Sequence, residues 1–369
     1  FRGRMIGQVY TRIGNPTTDA LEKRLAVLDG GAAAIATASG MAAITTAVMT
    51  IVRSGDEILA SSSLFGGTFS LFRDTLANFG IVARFVDPID LRSISDGIND
   101  KTRLIFVETI GNPKLDVPDI PAIAAIAHKA GIPFMVDATV TTPCLARGIE
   151  LGADIVIHST SKFINGTGSA IGGAIVDMGV FDWSSSKFPH FAPFVNKYRS
   201  FAFTARARKL IHKDFGACAA PMNSFLFTEG IETLGLRMER HCFNALELAR
   251  FLCDHNKVAW VNYPGLEENA GHATAKRVYN NKFGGILTYG LADRDTAFRL
   301  INGLQLAKNL ANIGDAKTLV IHPASTICAD FGAEEKELMG VREEMVRVSV
   351  GIEAIEDIIE DFAGSLGNI

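Results

Sequence analysis

Lys162 stands at the exit of an apolar, β-branched run. Residues 153–173, ADIVIHSTSKFINGTGSAIGG, read as a strand, a polar turn carrying the lysine, a glycine-rich loop and a second apolar strand from near Ala170. Taken alone, a lysine in that place is a solvated end cap. Its neighbours open a second reading. Ser159, Thr160 and Ser161 precede it and small residues follow, which gives short hydrogen-bonding groups and room for a bulky anion to approach the backbone. That setting suits a phosphorylated cofactor bonded to the amine. Asp137 closes another apolar run, PFMVD, and either caps the next turn or presents its carboxylate at a sheet edge. Gly40 and Met41 open a helix directly after a strand, so their amides face whatever lies off the helix N-terminus, although strand-turn-helix joints with one glycine are common. Phe65, in SSLFGGTF, is either a core residue or a stacking ring. Arg347 lies in an alternating strand pattern, where arginine is more often solvated than functional. GTGSAIGG is spaced G-x-G-x-x-x-G and leads into a strand, so it is not a dinucleotide fingerprint. The eight histidines show no HExxH and no clustering, and no catalytic metal is expected.

These residues need a scaffold, and the pattern supplies one. From Ala32 apolar strands alternate with helices: AAIATAS, a helix from Gly40 to Val52, DEILASSS, a helix after Gly67, IVARFVD, RLIFVET, a helix from Pro118 to Ala130, PFMVDA and ADIVIHST. Alternation of this kind predicts an α/β fold with a mainly parallel sheet covered on both faces, and ligands at the carboxyl ends of its strands. Before it, Tyr10 and Arg12 lie on an extended arm that passes through Gly14, Asn15 and Pro16 into a helix near Thr17 or Thr18. A long helical stretch from Met222 then leads, after YPGL, to short strands and helices of a smaller α+β unit. Residues 183–219, where basic and aromatic residues mix without period, read as a loop with some basic character.

With 369 residues, 48% of them hydrophobic, the chain can bury a sizeable core in two domains. A net charge of -4 gives no footprint for nucleic acid or an anionic membrane, and no apolar run has the length of a membrane span. Five scattered cysteines without a C-x-x-C pair suggest neither a disulfide framework nor a zinc site, which fits a reducing cytoplasm.

Seven motifs carry a resemblance that covers nearly the whole chain. YTRIGNPT (10–17), ASGMAA (38–43), FVETIGNP (106–113), MVDAT (135–139), STSK (159–162), IHPAST (321–326) and RVSVGIE (347–353), in that order, resemble the Cys/Met-metabolism family of pyridoxal-phosphate enzymes. The resemblance implies fold type I: a mainly parallel seven-stranded sheet with helices on both faces, plus a smaller C-terminal α+β domain. The expected domains are an arm (1–16), a large cofactor domain (17–228) and a C-terminal domain (229–369). Because the chain opens on Phe1 rather than Met, the resemblance also implies a further segment before it.

The same resemblance assigns roles. Lys162 holds pyridoxal 5'-phosphate as a Schiff base and then shuttles protons. Asp137 keeps the pyridine nitrogen protonated. Gly40, Met41, Ser159 and Ser161 hold the phosphate, joined by Tyr10 and Arg12 from a neighbouring subunit. Asn112 contacts the phenolic oxygen of the cofactor and the substrate, and Arg347 with Ser325 grips the substrate α-carboxylate. Phe65 stacks on the ring where the family usually has tyrosine, so a proton-moving phenol is missing that Tyr10 of a partner could replace. Cys328 stands for a frequent histidine and Ala138 for an asparagine. LANIGDAK (310–317) and GIETLGLRMERH (230–241) resemble the sulfhydrylase branch. The implied reaction is γ-replacement, in which O-acetyl-L-homoserine and sulfide or another sulfur donor give L-homocysteine and acetate in methionine biosynthesis. A methionine or cystathionine γ-lyase, a cystathionine γ-synthase, and a weakly catalytic cofactor-binding sulfur-transfer partner are the alternatives. Small-molecule substrates, a homotetramer built as a dimer of dimers, and a thiocarboxylate-bearing carrier protein as one candidate donor complete the expectations.

Overall fold

The computed structural model describes residues 7–369; residues 1–6 of the expected arm lie outside the described residues. The first helix, α1 (Pro16–Asp29), starts where Asn15 accepts the Thr17 N–H at 3.0 Å ahead of a proline at the first helical position, and stops at Gly30, whose φ of +75° suits glycine. Then follow β1 (Ala33–Thr37), α2 (Gly40–Ile51), β2 (Glu57–Ser61), α3 (Gly66–Ser70), β3 (Val82–Val86), α4 (Leu91–Gly97), β4 (Thr102–Glu108), α5 (Ile120–Lys129), β5 (Phe134–Asp137), α6 (Thr142–Leu145), β6 (Ile155–His158) and β7 (Gly173–Asp177). The seven strands form one sheet in the order β1-β7-β6-β5-β4-β2-β3, with β7 alone running against its neighbours. Both faces are covered, as the expected architecture requires. Along β6, Ile155 and Ile157 join one apolar cluster while Val156 joins the other, so a run without polar alternation is buried from both sides.

The second strand of the lysine region begins at Gly173, three residues beyond the expected Ala170, because the Gly172 N–H and C=O are engaged by the Ser161 side chain rather than by a neighbouring strand. A larger correction concerns residues 183–219. Instead of a loop they carry α7 (Ala192–Tyr198), α8 (Ala202–Arg206), a π-helical turn over Ala207–His212 and α9 (Lys213–Phe215). The aromatic residues explain why. Trp183 is stacked on Phe191 with centroids 4.3 Å apart and on Phe203 at 5.6 Å, and Phe188 meets it edge-on at 5.4 Å. Short helices of irregular period are thus folded onto one buried aromatic cluster.

Two consecutive helices, α10 (Pro221–Glu232) and α11 (Leu234–Cys253), carry the chain to a second sheet. The expected boundary at 228/229 falls inside α10. Next come β8 (Trp260–Asn262), α12 (His272–Val278), β9 (Ile286–Gly290), α13 (Arg294–Gly303), β10 (Lys308–Asn309), β11 (Leu319–Ile321), α14 (Ala333–Leu338), β12 (Met345–Ser349) and α15 (Ile355–Gly367). The five strands are ordered β10-β11-β12-β9-β8 and are antiparallel except for the β10/β11 pair. Among the described residues no helix is long and apolar enough to cross a membrane, and no group of three or more His, Cys, Asp or Glu could hold a metal.

Trp183→Ala should empty the centre of the aromatic cluster and cost about 3–5 kcal/mol, the usual range for removing a large buried aromatic residue. A urea unfolding series checks it; a loss below about 1 kcal/mol would mean that 183–219 is not anchored in this way.

Candidate active site

A cavity of about 430 Å³ opens at the carboxyl edge of the large sheet, where the strand pattern places ligands. Four strand ends of the large sheet feed it. β1 gives way to Ser39, whose Oγ accepts the Ala42 N–H at 3.0 Å and starts α2, leaving the Gly40 and Met41 amides without intrahelical acceptors. A Cβ on Gly40 would sit 2.8 Å from Ser159 Cβ, so only glycine lets the two walls of the cradle approach. β4 delivers Glu108 and, a turn later, Asn112; β5 delivers Asp137; β6 delivers Ser159, Ser161 and Lys162. From the second sheet come Arg347 on β12 and, in the loop after β10, Asn312.

The lysine turn is braced from behind. His158 Nε2 is 2.6 Å from Asp29 Oδ2 in a fully buried pair, and Asp29 Oδ1 accepts the Gly148 N–H at 3.1 Å, which ties α1 to the end of β6. Burial works against charge on His158, but Asp29 outweighs it and raises the imidazole above its ordinary value. In front, Lys162 Nζ donates to Asn312 Oδ1 at 2.5 Å. Burial, and next the Arg347 charge, lower the lysine below its ordinary value. Asp137 Oδ1 accepts the Thr139 N–H at 2.9 Å; burial raises this carboxyl, and the Thr139 hydrogen bonds and His158 hold it back.

Arg347 is the most unusual group. Only 3% of it is exposed, and its partners are neutral: Nη1 donates to Asn112 Oδ1 at 3.0 Å and Nη2 to the Asn312 carbonyl at 3.2 Å. Its Nε has no acceptor among the described residues. Burial depresses the guanidinium to about 10. A buried cation without a carboxylate is costly, and an anionic ligand would relieve it. The solvated reading of this strand arginine is therefore set aside.

Of the expected site residues, the cavity brings together Lys162, Asp137, Gly40, Met41, Ser159, Ser161, Asn112, Arg347 and Phe65, the last 40% exposed on its rim. Ser161 also engages Gly172, donating to its carbonyl at 3.1 Å and accepting its N–H at 2.9 Å. Three residues are not brought in. Ser325 is exposed in the turn after β11, its hydroxyl pairs with His322 Nδ1 at 2.9 Å, and it does not line the cavity. Tyr10 is 57% exposed, and Arg12 donates to the Lys213 carbonyl at 2.6 Å, so neither reaches the cavity of its own chain. Asn312 and Glu108 were not singled out from sequence. Both lay inside recognised motifs, LANIGDAK and FVETIGNP, which was the available signal.

An α/β scaffold of two sheets with a desolvated lysine, a strand-end carboxylate and a helix-start anion cradle in one cleft defines a lysine-based cofactor enzyme, and the donor set fits pyridoxal phosphate: an amine for its carbonyl, an acid for its ring nitrogen and amides with hydroxyls for its phosphate. The chain belongs to the Cys/Met metabolism PLP-dependent enzyme family, whose model matches residues 1–367. Homocysteine synthase of Schizosaccharomyces pombe is 45% identical over 98% of this chain and 87% of its own length. An O-acetylhomoserine (thiol)-lyase of Campylobacter jejuni superposes with a TM-score of 0.95 at 36% identity, covering 99% of this chain and 89% of that one, and its structure contains a pyridoxyl-lysine monophosphate. An O-acetylhomoserine sulfhydrylase of the methionine biosynthetic pathway of Wolinella succinogenes gives a TM-score of 0.86 at 40% identity over 95% of this chain and 96% of that one.

In cofactor-free protein, the rate of Lys162 acylation by an amine reagent should rise with a midpoint below that of an ordinary lysine, and Arg347→Ala should move the midpoint back upward by removing the nearer positive charge. An unshifted wild-type midpoint, read by mass spectrometry across pH, would contradict the desolvated amine.

Proposed function

We propose that this chain catalyses γ-replacement on O-acetyl-L-homoserine, with sulfide as the sulfur donor, to give L-homocysteine and acetate. The observation that carries the reading is Arg347. A guanidinium buried among neutral partners across the cavity from Lys162 has the charge and fork geometry to take an α-carboxylate bidentately. Pyridoxal phosphate, when bound, supplies a carbonyl for amine exchange and a ring that withdraws electrons from the substrate Cα. Gly40, Met41, Ser159 and Ser161 would hold its phosphate, Asn112 its phenolic side and Asp137 a proton on its ring nitrogen. Lys162, whose charged form is disfavoured by desolvation and then by Arg347, would remove the proton from Cα and handle the one at Cβ. Phe65 walls the mouth and keeps water from the reacting carbons.

The wall composition supports the acetyl ester. Among the described residues that line the cavity, Lys162 and Arg347 are the only cations, and both are committed; Met41, Phe65, Ile110, Ile171 and Ile327 make the rest largely apolar. A succinyl or phosphoryl leaving group would bring a charge with no partner there. We further read the arm with Tyr10 and Arg12 as serving a neighbouring subunit, within a dimer of dimers. Five cysteines outside any disulfide accord with a reducing cytoplasm.

Purified protein reconstituted with pyridoxal phosphate should form homocysteine from O-acetylhomoserine and sulfide, followed by mass spectrometry. Cystathionine from cysteine, or an oxo acid without any thiol, would favour the cystathionine-forming or lyase alternative. Arg347→Ala should raise the KM for the ester about 10–100-fold, the worth of a charge-assisted pair, with a smaller change in kcat.

A further inference from the structure

Glu108 closes β4 and takes no part in the steps above. It is only 6% exposed, yet it lines the cavity and pairs in register with Asp137 at the end of the neighbouring β5. Its Oε1 accepts the Phe65 backbone N–H at 2.6 Å. Phe65 immediately precedes α3: its carbonyl takes the N–H groups of Thr68 at 2.9 Å and Phe69 at 3.0 Å, while its own N–H points the other way, to Glu108. The ring is set from a second side. A Cβ on Gly67 would lie 2.7 Å from Phe65 Cε1 and 3.5 Å from Met41 Sδ, so the ring lies down over a position that only glycine leaves free. Phe65 carries no hydroxyl, and its orientation therefore depends on this backbone tie and this gap.

We propose that Glu108 is a positioning residue of the site: its carboxyl group clamps the Phe65 backbone to the end of β4 and so fixes the aromatic wall of the cleft beside Asp137. Two carboxyl groups side by side in a dry cleft do not both ionise. Burial first, and the Asp137 charge next, push Glu108 well above the usual carboxylate range. That disfavours ionisation of Glu108, and its Oε1 remains the acceptor that holds the Phe65 N–H beside Asp137. The inference rests on the reading of the cleft as the cofactor site.

Hydrogen–deuterium exchange over residues 63–69, in protein stripped of cofactor, reads the clamp without turnover. Glu108→Ala should speed exchange of the Phe65 amide about ten-fold, the equivalent of one lost hydrogen bond. Glu108→Gln, which keeps a neutral acceptor of the same length, should stay within about two-fold of wild type. In the reconstituted enzyme Glu108→Ala should lower kcat about ten-fold with little change in KM, since Arg347 is untouched, and the Gln variant should restore it. Gly67→Ala should reproduce the kcat loss with the Phe65 amide still protected, because it displaces the ring and spares the tie. Wild-type exchange in the Ala variant, a Gln variant that behaves like Ala, or full kcat in Gly67→Ala would each overturn the proposal. Should Glu108→Ala fail to fold, the Gln and Gly67→Ala arms decide by the same criteria. If the wild type made no homocysteine, the functional reading would fail while the exchange result stood by itself.

Discussion

The structure is built around the cost of holding two cations out of water. Lys162 and Arg347 face one cleft, and among the described residues Arg347 meets only neutral partners there. Coulomb repulsion in a poorly solvated cleft would disperse such a pair in a soft surface pocket. Here each is fixed by an element too rigid to yield. Lys162 follows a strand buried on both faces and backed by the His158–Asp29 pair; Arg347 sits mid-strand in β12, paired with β9 and β11. The tension is useful, since burial first and the Arg347 charge next lower the lysine toward a working base, while the arginine is left needing an anion.

Asn312 and Asn112 are the intermediaries that make this tolerable. Asn312 accepts from Lys162 through its side chain and from Arg347 through its carbonyl, while Asn112 supplies the other oxygen to the guanidinium. Neutral amides satisfy donors without cancelling charge. A carboxylate in either place would form a buried salt bridge and compete with the ligand.

How much of this could be read from sequence follows from range. Lys162, Asp137 and Gly40 were legible because each stands at a strand end, and strand ends of an α/β sheet share one edge. The parallel sheet itself was legible from apolar runs such as IVIH. Asn312 was not, because its bond to Lys162 spans 150 positions and a loop asparagine has no periodicity to betray it. Glu108 is not legible in FVETIGNP because its neighbour Asp137 comes beside it only when β4 pairs with β5. Residues 183–219 read as a loop because Trp183, Phe188, Phe191 and Phe203 follow neither a 2.0 nor a 3.6 period; their order comes from packing on one another. Ser325 belongs to a site motif, while in this chain its hydroxyl is held by His322 and it does not line the cavity.

The reversed direction of β7 has a consequence for the order of assembly. Because β6 and β7 are adjacent and antiparallel, residues 159–172 bring the chain straight back beside the strand it left, although Lys162 itself is tied to Asn312, 150 positions further on. The Asn112–Arg347 contact, by contrast, joins residues 235 positions apart. Local closure is kinetically cheap and distant closure slow. All seven strands of the large sheet, with Lys162, Asp137 and the Gly40 cradle beyond their ends, are therefore encoded ahead of Asn312 and Arg347, the two residues that close on them from the second sheet.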